Sequence, residues 1–180
     1  MPKQKQNGFT MIRTVQKNLV SVNGFTLIEL LIVIAILGIL ATVGLNSFTS
    51  SQMKSRDTRR KANLNQISQS LEIYYNDFGK YPSASTDGAI MGCGAGAINA
   101  CSWGVDTFGN TTTGTVYMIK LPEDPSSYVY YYQVSGANKM YQLYTHLENP
   151  KDKSILTSIT KTTECGGTCN YGVSSPNIKP

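Results

Sequence analysis

Between Phe25 and Leu45 the chain carries a single ionisable side chain, Glu29, in a run of otherwise apolar and small residues. A helix that crosses a bilayer needs about 20 mostly apolar residues, and this run has that length. Leu30, Leu31, Ile32, Val33, Ile34, Ala35, Ile36 and Leu37 follow one another without a polar face. A helix that is apolar all round belongs in lipid or in the centre of an assembly. Glu29 is the exception that asks for a partner, because an acidic residue at mid-membrane costs roughly 2.5–3.5 kcal/mol and less near a helix end.

The run is entered through Gly24-Phe25-Thr26-Leu27-Ile28-Glu29. This hexapeptide and the helix after it resemble the processing site of type IV pilins and type II secretion pseudopilins. The resemblance implies a cut by a membrane-embedded prepilin peptidase between Gly24 and Phe25, with Phe25 becoming the N-methylated first residue. It also implies that Glu29 serves subunit assembly by pairing with the terminal amine of a neighbouring copy. A carboxylate buried in a helical bundle needs a cation, and cleavage creates one nearby.

Residues 1–24 then read as a leader: Lys3, Lys5, Arg13 and Lys17 make it basic, and it has neither acids nor an apolar core of its own. Within it, Gly8-Phe9-Thr10-Met11-Ile12 echoes the later motif, but no glutamate or apolar run follows. The formal charge of +5 depends on this segment. Without its four bases, 12 basic residues face 11 acidic ones, leaving +1, which speaks against nucleic acid as a partner. Lys54, Arg56, Arg59, Arg60 and Lys61 lie beyond the run and balance the leader's charge, so the positive-inside rule does not orient the chain. The cluster reads more readily as a solvated helix face than as a contact for lipid headgroups or a neighbour's acids.

All four cysteines, Cys93, Cys101, Cys165 and Cys169, follow the apolar run. An even number on an exported domain reads as two disulfides, and this places the leader inside and the domain outside the cytoplasmic membrane. Three connectivities are possible, of which the local one, Cys93 with Cys101 and Cys165 with Cys169, is favoured. A zinc site fits less well, because only the second pair has knuckle-like spacing.

Leu64, Ile67, Leu71, Tyr74 and Phe78 recur at steps of three and four, the stripe of an amphipathic helix continuing over residues 46–79. Asn65, Gln66, Ser68, Gln69, Ser70, Glu72 and Asn76 form its expected solvated face, and Gly79 and Pro82 stop it. Residues 80–126 read as a variable region, with a cysteine-pinned loop of little regular structure over 83–110. The stretch from Thr115 to Pro125 is similar to a short helical segment and Leu-Pro-x-Asp-Pro turn of major pseudopilins, although Ser126-Ser127 replace the family's tryptophan-glycine. Within residues 127–180, alternating tyrosines and valines over 127–134 and 140–147 predict a hairpin, followed by a stapled loop and an edge strand near 170–173.

No phosphate loop, histidine–acid pair or nucleophile motif is present, so an enzyme is not expected. Nor is a cofactor, calcium excepted: the resemblance implies such an ion near the sheet, and Asp124, Glu148 and Asp152 are acids in that region without a D-x-D-x-D pattern. The expectation is an α+β, pilin-like fold in which a long amino-terminal helix, half transmembrane and half amphipathic, packs on a small antiparallel sheet. The function implied is that of a structural subunit of a type II secretion pseudopilus or related filament, with a surface type IV pilin for adhesion, motility or DNA uptake as the alternative. Expected partners are further copies of the chain, the peptidase, an inner-membrane assembly platform with its ATPase machinery, and membrane lipid before assembly.

Overall fold

The structure, a computed structural model, describes residues 24–180, without the side chains of residues 43–46. The expected leader and its echo motif over residues 8–12 therefore lie outside the described residues. Among the described residues one α-helix, α1 (Leu27–Phe78), leads into seven short strands. The chain divides into two units between Thr42 and Val43.

In the first unit α1 starts on a reciprocal cap. The Thr26 hydroxyl accepts the Glu29 backbone N–H (3.3 Å), while Glu29 Oε2 accepts the Thr26 backbone N–H (2.9 Å). The sequence spacing T-x-x-E is that of a capping box, which satisfies two donors that a helix start otherwise leaves open. Beyond it the large side chains from Leu27 to Leu40 are exposed.

In the second unit the same helix buries Leu64, Ile67 and Leu71 completely. Each such side chain contributes about 1.5–3 kcal/mol through burial. Tyr74 is half-buried, whereas Phe78 remains 55% exposed, so the apolar stripe ends a turn earlier than its spacing predicts. Ser70 is buried rather than solvated, because its hydroxyl donates to the Ile67 carbonyl (2.7 Å) and leaves no polar group unsatisfied. Gly79, with φ at +64°, donates its N–H to the Tyr75 carbonyl (2.7 Å) and closes the helix.

Residues 83–110 are not the irregular loop that composition predicts; with the segment just beyond them they belong to a sheet. They form a four-stranded antiparallel sheet in the order β2-β1-β3-β4 from β1 (Met91–Cys93), β2 (Asn99–Ala100), β3 (Phe108–Asn110) and β4 (Thr115–Met118). β4 occupies the place where the resemblance implies a short helix. The strands are two to four residues long with register shifts, too short for alternation to show. The Cys93–Cys101 disulfide and buried Phe108 hold them together instead.

The second sheet follows expectation more closely. β5 (Tyr131–Ser135), β6 (Met140–Thr145) and β7 (Tyr171–Ser174) run antiparallel in the order β5-β6-β7, with Tyr132 opposite Leu143 and Leu143 opposite Val173. Gly136, Ala137 and Asn138 turn the hairpin in the left-handed region. Tyr130, Tyr132, Tyr141 and Leu143 meet Leu64, Ile67, Leu71, Ile90 and Phe108 in one core. The tyrosine hydroxyls in this core are satisfied. Tyr132 donates to the Pro82 carbonyl (2.8 Å), Tyr130 accepts from Asn63 (2.7 Å), and Tyr141 pairs with Ser68 (2.7 Å). Burial pushes the Tyr130 phenol up to about 12, so these groups stay neutral at physiological pH.

Candidate functional site

Two places carry chemistry. The first is the head of α1. Gly24 precedes the helix, Phe25 is 86% exposed, and Glu29 Oε2 also accepts the Thr26 hydroxyl (2.7 Å). The carboxylate is thus folded back over the first turn, where the amide dipoles favour negative charge. Sequence reasoning singled out Glu29 for assembly but missed its capping role, although Thr26 three positions before it was the visible signal. The helix that follows is long and apolar enough to cross a membrane by length and composition.

The second place is built from the carboxyl-terminal part of α1. Tracing the stripe of Leu71, Ile67 and Leu64 back by three and four positions reaches Arg60 and Asp57, which face the domain and are buried. Arg60 donates from Nε to Asp124 Oδ2 (2.7 Å) and from Nη2 to Asp124 Oδ1 (2.8 Å), a forked pairing of guanidinium with carboxylate. Its Nη1 reaches Asp57 Oδ1 (2.9 Å), and its Nη2 reaches Ser126 Oγ (2.7 Å) and Glu148 Oε1 (2.7 Å). Tyr128 lies beside the guanidinium, its ring centroid 5.2 Å from Cζ. Asp57 in turn accepts the backbone N–H groups of Glu148 and Asn149, both at 2.9 Å. Three segments, α1, residues 124–128 and residues 148–149, are thereby tied together by one cation.

The electrostatics follow from this geometry. Burial opposes the Arg60 charge, but the hydrogen bonds to Asp124 and Glu148 outweigh it and hold the pKa above its usual value. Glu148 is also gripped by Arg56, whose Nε lies 2.9 Å from Oε1, and that hydrogen bond with help from Arg60 draws its pKa down to about 2 against the effect of burial. Lys61 Nζ holds Asp152 at 2.7 and 2.8 Å and lowers the acid's pKa.

This overturns two expectations. Arg56, Arg60 and Lys61 are neither a solvated face nor free for lipid: each pairs with an acid of its own chain, while Lys54 and Arg59 remain exposed. The calcium candidates Asp124, Glu148 and Asp152 do not converge on a metal; each is taken up by a basic side chain, and among the described residues no group of three or more metal-ligating side chains is arranged to hold an ion. His146, just past β6, stacks on Tyr128 with centroids 4.2 Å apart and sits 2.6 Å from the Thr168 carbonyl, a packing role. Both disulfides join sequence neighbours, Cys93 with Cys101 and Cys165 with Cys169.

Comparison with known proteins agrees with the arrangement. A prokaryotic N-terminal methylation motif matches residues 21–45, and the family described as type II secretion system (T2SS), protein G matches residues 47–152. The type II secretion system core protein G of Pseudomonas aeruginosa is 31% identical over 124 residues, covering 68% of this chain and 81% of that protein. The type IV major pilin protein PilA of Myxococcus xanthus is 38% identical over 58 residues, 32% of this chain and 26% of the pilin. The type IV wide pilus major component PilA4 of Thermus thermophilus is 45% identical over 60 residues, 33% of this chain and 46% of that protein. No solved structure matches the chain. A methylation motif heading an exposed apolar helix, followed by a protein G match over most of the remaining length, has one meaning: the chain belongs to the type II secretion system protein G family, the major pseudopilins.

Proposed function

We propose that this chain is the structural subunit of a type II secretion pseudopilus and supports protein secretion without catalysing a reaction. The observation that carries the reading is an apolar helix, exposed along its length and headed by the Thr26–Glu29 cap, attached to a domain whose own core is complete. Such a helix gains burial only from lipid or from other copies of itself.

On this reading residues 1–24 are removed by a prepilin peptidase between Gly24 and Phe25, and Phe25 is N-methylated. The segment 25–45 then leaves the cytoplasmic membrane for the filament core, and residues 46–180 form the outer domain on the far side of that membrane. An assembly platform and its ATPase supply the work of extraction. Glu29 exchanges its contacts with Thr26 for the ammonium of a neighbouring Phe25, a pairing that fixes axial register because an unpaired carboxylate in that core is costly. A Glu29→Ala chain is expected to be cleaved normally but to assemble at less than about a tenth of the wild-type yield, a loss of more than 1.4 kcal/mol per subunit addition. Wild-type yield from that variant refutes the pairing. Intact mass of the protein from its own cells tests processing: a chain beginning at methylated Phe25 is expected, and one beginning at Met1 refutes the cut.

The partial matches to two type IV pilins favour a second reading, a surface fibre for adhesion, motility or DNA uptake. Long surface fibres lost on deletion of the gene, with secretion intact, would decide for it.

A further inference from the structure

The most unusual feature of the outer domain is that its loops are fastened by a buried arginine that gathers three carboxylates and a hydroxyl. Asp57, Asp124, Glu148 and Ser126 converge on Arg60 from three separate segments, at 2.7–2.9 Å, and the Arg60 side chain is 0% exposed. Hard oxygen donors gathered from several loops are what calcium requires. Here the guanidinium already takes both oxygens of Asp124 and one each of Asp57 and Glu148. A metal entering the cluster would have to displace it, leaving a buried positive charge without its partners beside the incoming ion. The acids do not therefore fit a calcium ion in this chain, despite what the family resemblance implies.

We propose that the Arg60 guanidinium is a built-in cation that takes the structural place of a metal ion, making the outer domain independent of calcium and creating a latent divalent-ion site that only removal of Arg60 reveals. Four features support this. The cation reaches its ligands from α1, the element to which both loops must be fastened. Its fork engages Asp124 with a geometry that a lysine ammonium lacks. Asp57, besides facing Arg60, fixes the Glu148–Asn149 backbone, so the ligand shell is organised from within the fold. Arg56 holds Glu148 as a second cation, its Nε 2.9 Å from Oε1 and 3.1 Å from Oε2. The inference does not depend on whether the filament is a pseudopilus or a surface pilus.

The test is thermal unfolding of the purified full-length chain in detergent micelles, with calcium chloride at millimolar concentration or with excess chelator. The wild-type midpoint is expected to be the same in both. A structural calcium site near saturation would instead raise it by about 5–10 °C, and that result overturns the proposal. Arg60→Gln removes the charge and leaves Asp57, Asp124 and Glu148 facing one another. This variant is expected to have a lowered midpoint that calcium raises, and the added change Asp124→Asn is expected to abolish the rise. A folded Arg60→Gln chain indifferent to calcium overturns the latent site. Should that variant not fold in chelator, refolding in millimolar calcium chloride is expected to rescue it, and failure in both conditions overturns the latent site; titration of calcium into wild type by calorimetry, expected to give no binding heat, provides the second reading of calcium independence.

Discussion

Asp57 offers the sharpest single test of how the long helix is joined to the sheet domain. Its carboxylate accepts Arg60 Nη1 and the backbone N–H groups of Glu148 and Asn149, each at 2.9 Å, and the side chain is 2% exposed. In Asp57→Ala the two backbone donors lose their acceptor, at about 1–3 kcal/mol for each buried group left unsatisfied. Arg60 loses one of its three carboxylates, but Asp124 and Glu148 remain, so the cost falls below the roughly 3–5 kcal/mol of breaking a lone buried pair. Because these terms share partners they do not add fully, and we expect a net loss of about 3–5 kcal/mol. For a chain of this size that corresponds to a fall in Tm of about 6–20 °C. Asp57→Asn keeps one acceptor oxygen and is expected to lose about half as much. Thermal melts in micelles give the magnitude, and amide hydrogen exchange identifies its source: protection at Glu148 and Asn149 should fall first. A Tm for Asp57→Ala within about 3 °C of wild type, or unchanged protection at those two amides, would refute the reasoning.

Glu148 predicts an acid limb. Its folded pKa of about 2 lies below the usual 4.5, so the stability it lends is complete above about pH 5 and is lost as pH falls through the folded value. The full shift corresponds to about 3 kcal/mol, and partial access of solvent to the Arg56 side of the pair reduces this to about 1–2 kcal/mol. Urea midpoints measured from pH 7 to pH 3 should fall accordingly, and Glu148→Gln should flatten that slope; a slope unchanged in the variant refutes the assignment. For the disulfides, loop-closure entropy gives about 2 kcal/mol for Cys165–Cys169 and slightly more for the longer Cys93–Cys101 loop. Replacing the first pair by serines should therefore lower Tm by about 4–8 °C, and replacing Cys93 and Cys101, both buried in the core, should lower it further. The reverse order would refute the ranking.

What could be read from the sequence depended on how many residues carried each signal. The apolar run after Gly24 and the stripe from Leu64 to Leu71 each repeat one rule over many positions, so the helix and the face it buries were legible. The tyrosine-valine hairpin was legible for the same reason, and so was the edge strand. The first sheet was not, because strands of two to four residues held by a disulfide have no periodicity to display. The buried ion cluster was hidden by a sound prior. Charge runs on helices usually face water, and only the phase of Asp57 and Arg60, in register with Leu64 and Ile67, marked them as inward-facing. The acids assigned to calcium were correctly placed near the sheet, but their partners lay some 60 to 90 positions earlier, beyond the reach of local spacing.

The order of synthesis gives the second sheet a further consequence. Leu64, Ile67 and Leu71 leave the ribosome roughly 100 residues before Tyr171–Ser174, the strand that completes the sheet they pack against. At about 5–20 residues per second that interval lasts about 5–20 s, far longer than a helix needs to form. Until β5 and β6 emerge the finished helix presents a greasy face with no strand of that sheet to cover it, and until β7 emerges the cover is incomplete. The hazard of aggregation is therefore set by the clock of translation rather than by the strength of the final contacts, and a codon-slowed stretch between residues 72 and 170 would lengthen that exposure without altering a single bond in the folded subunit.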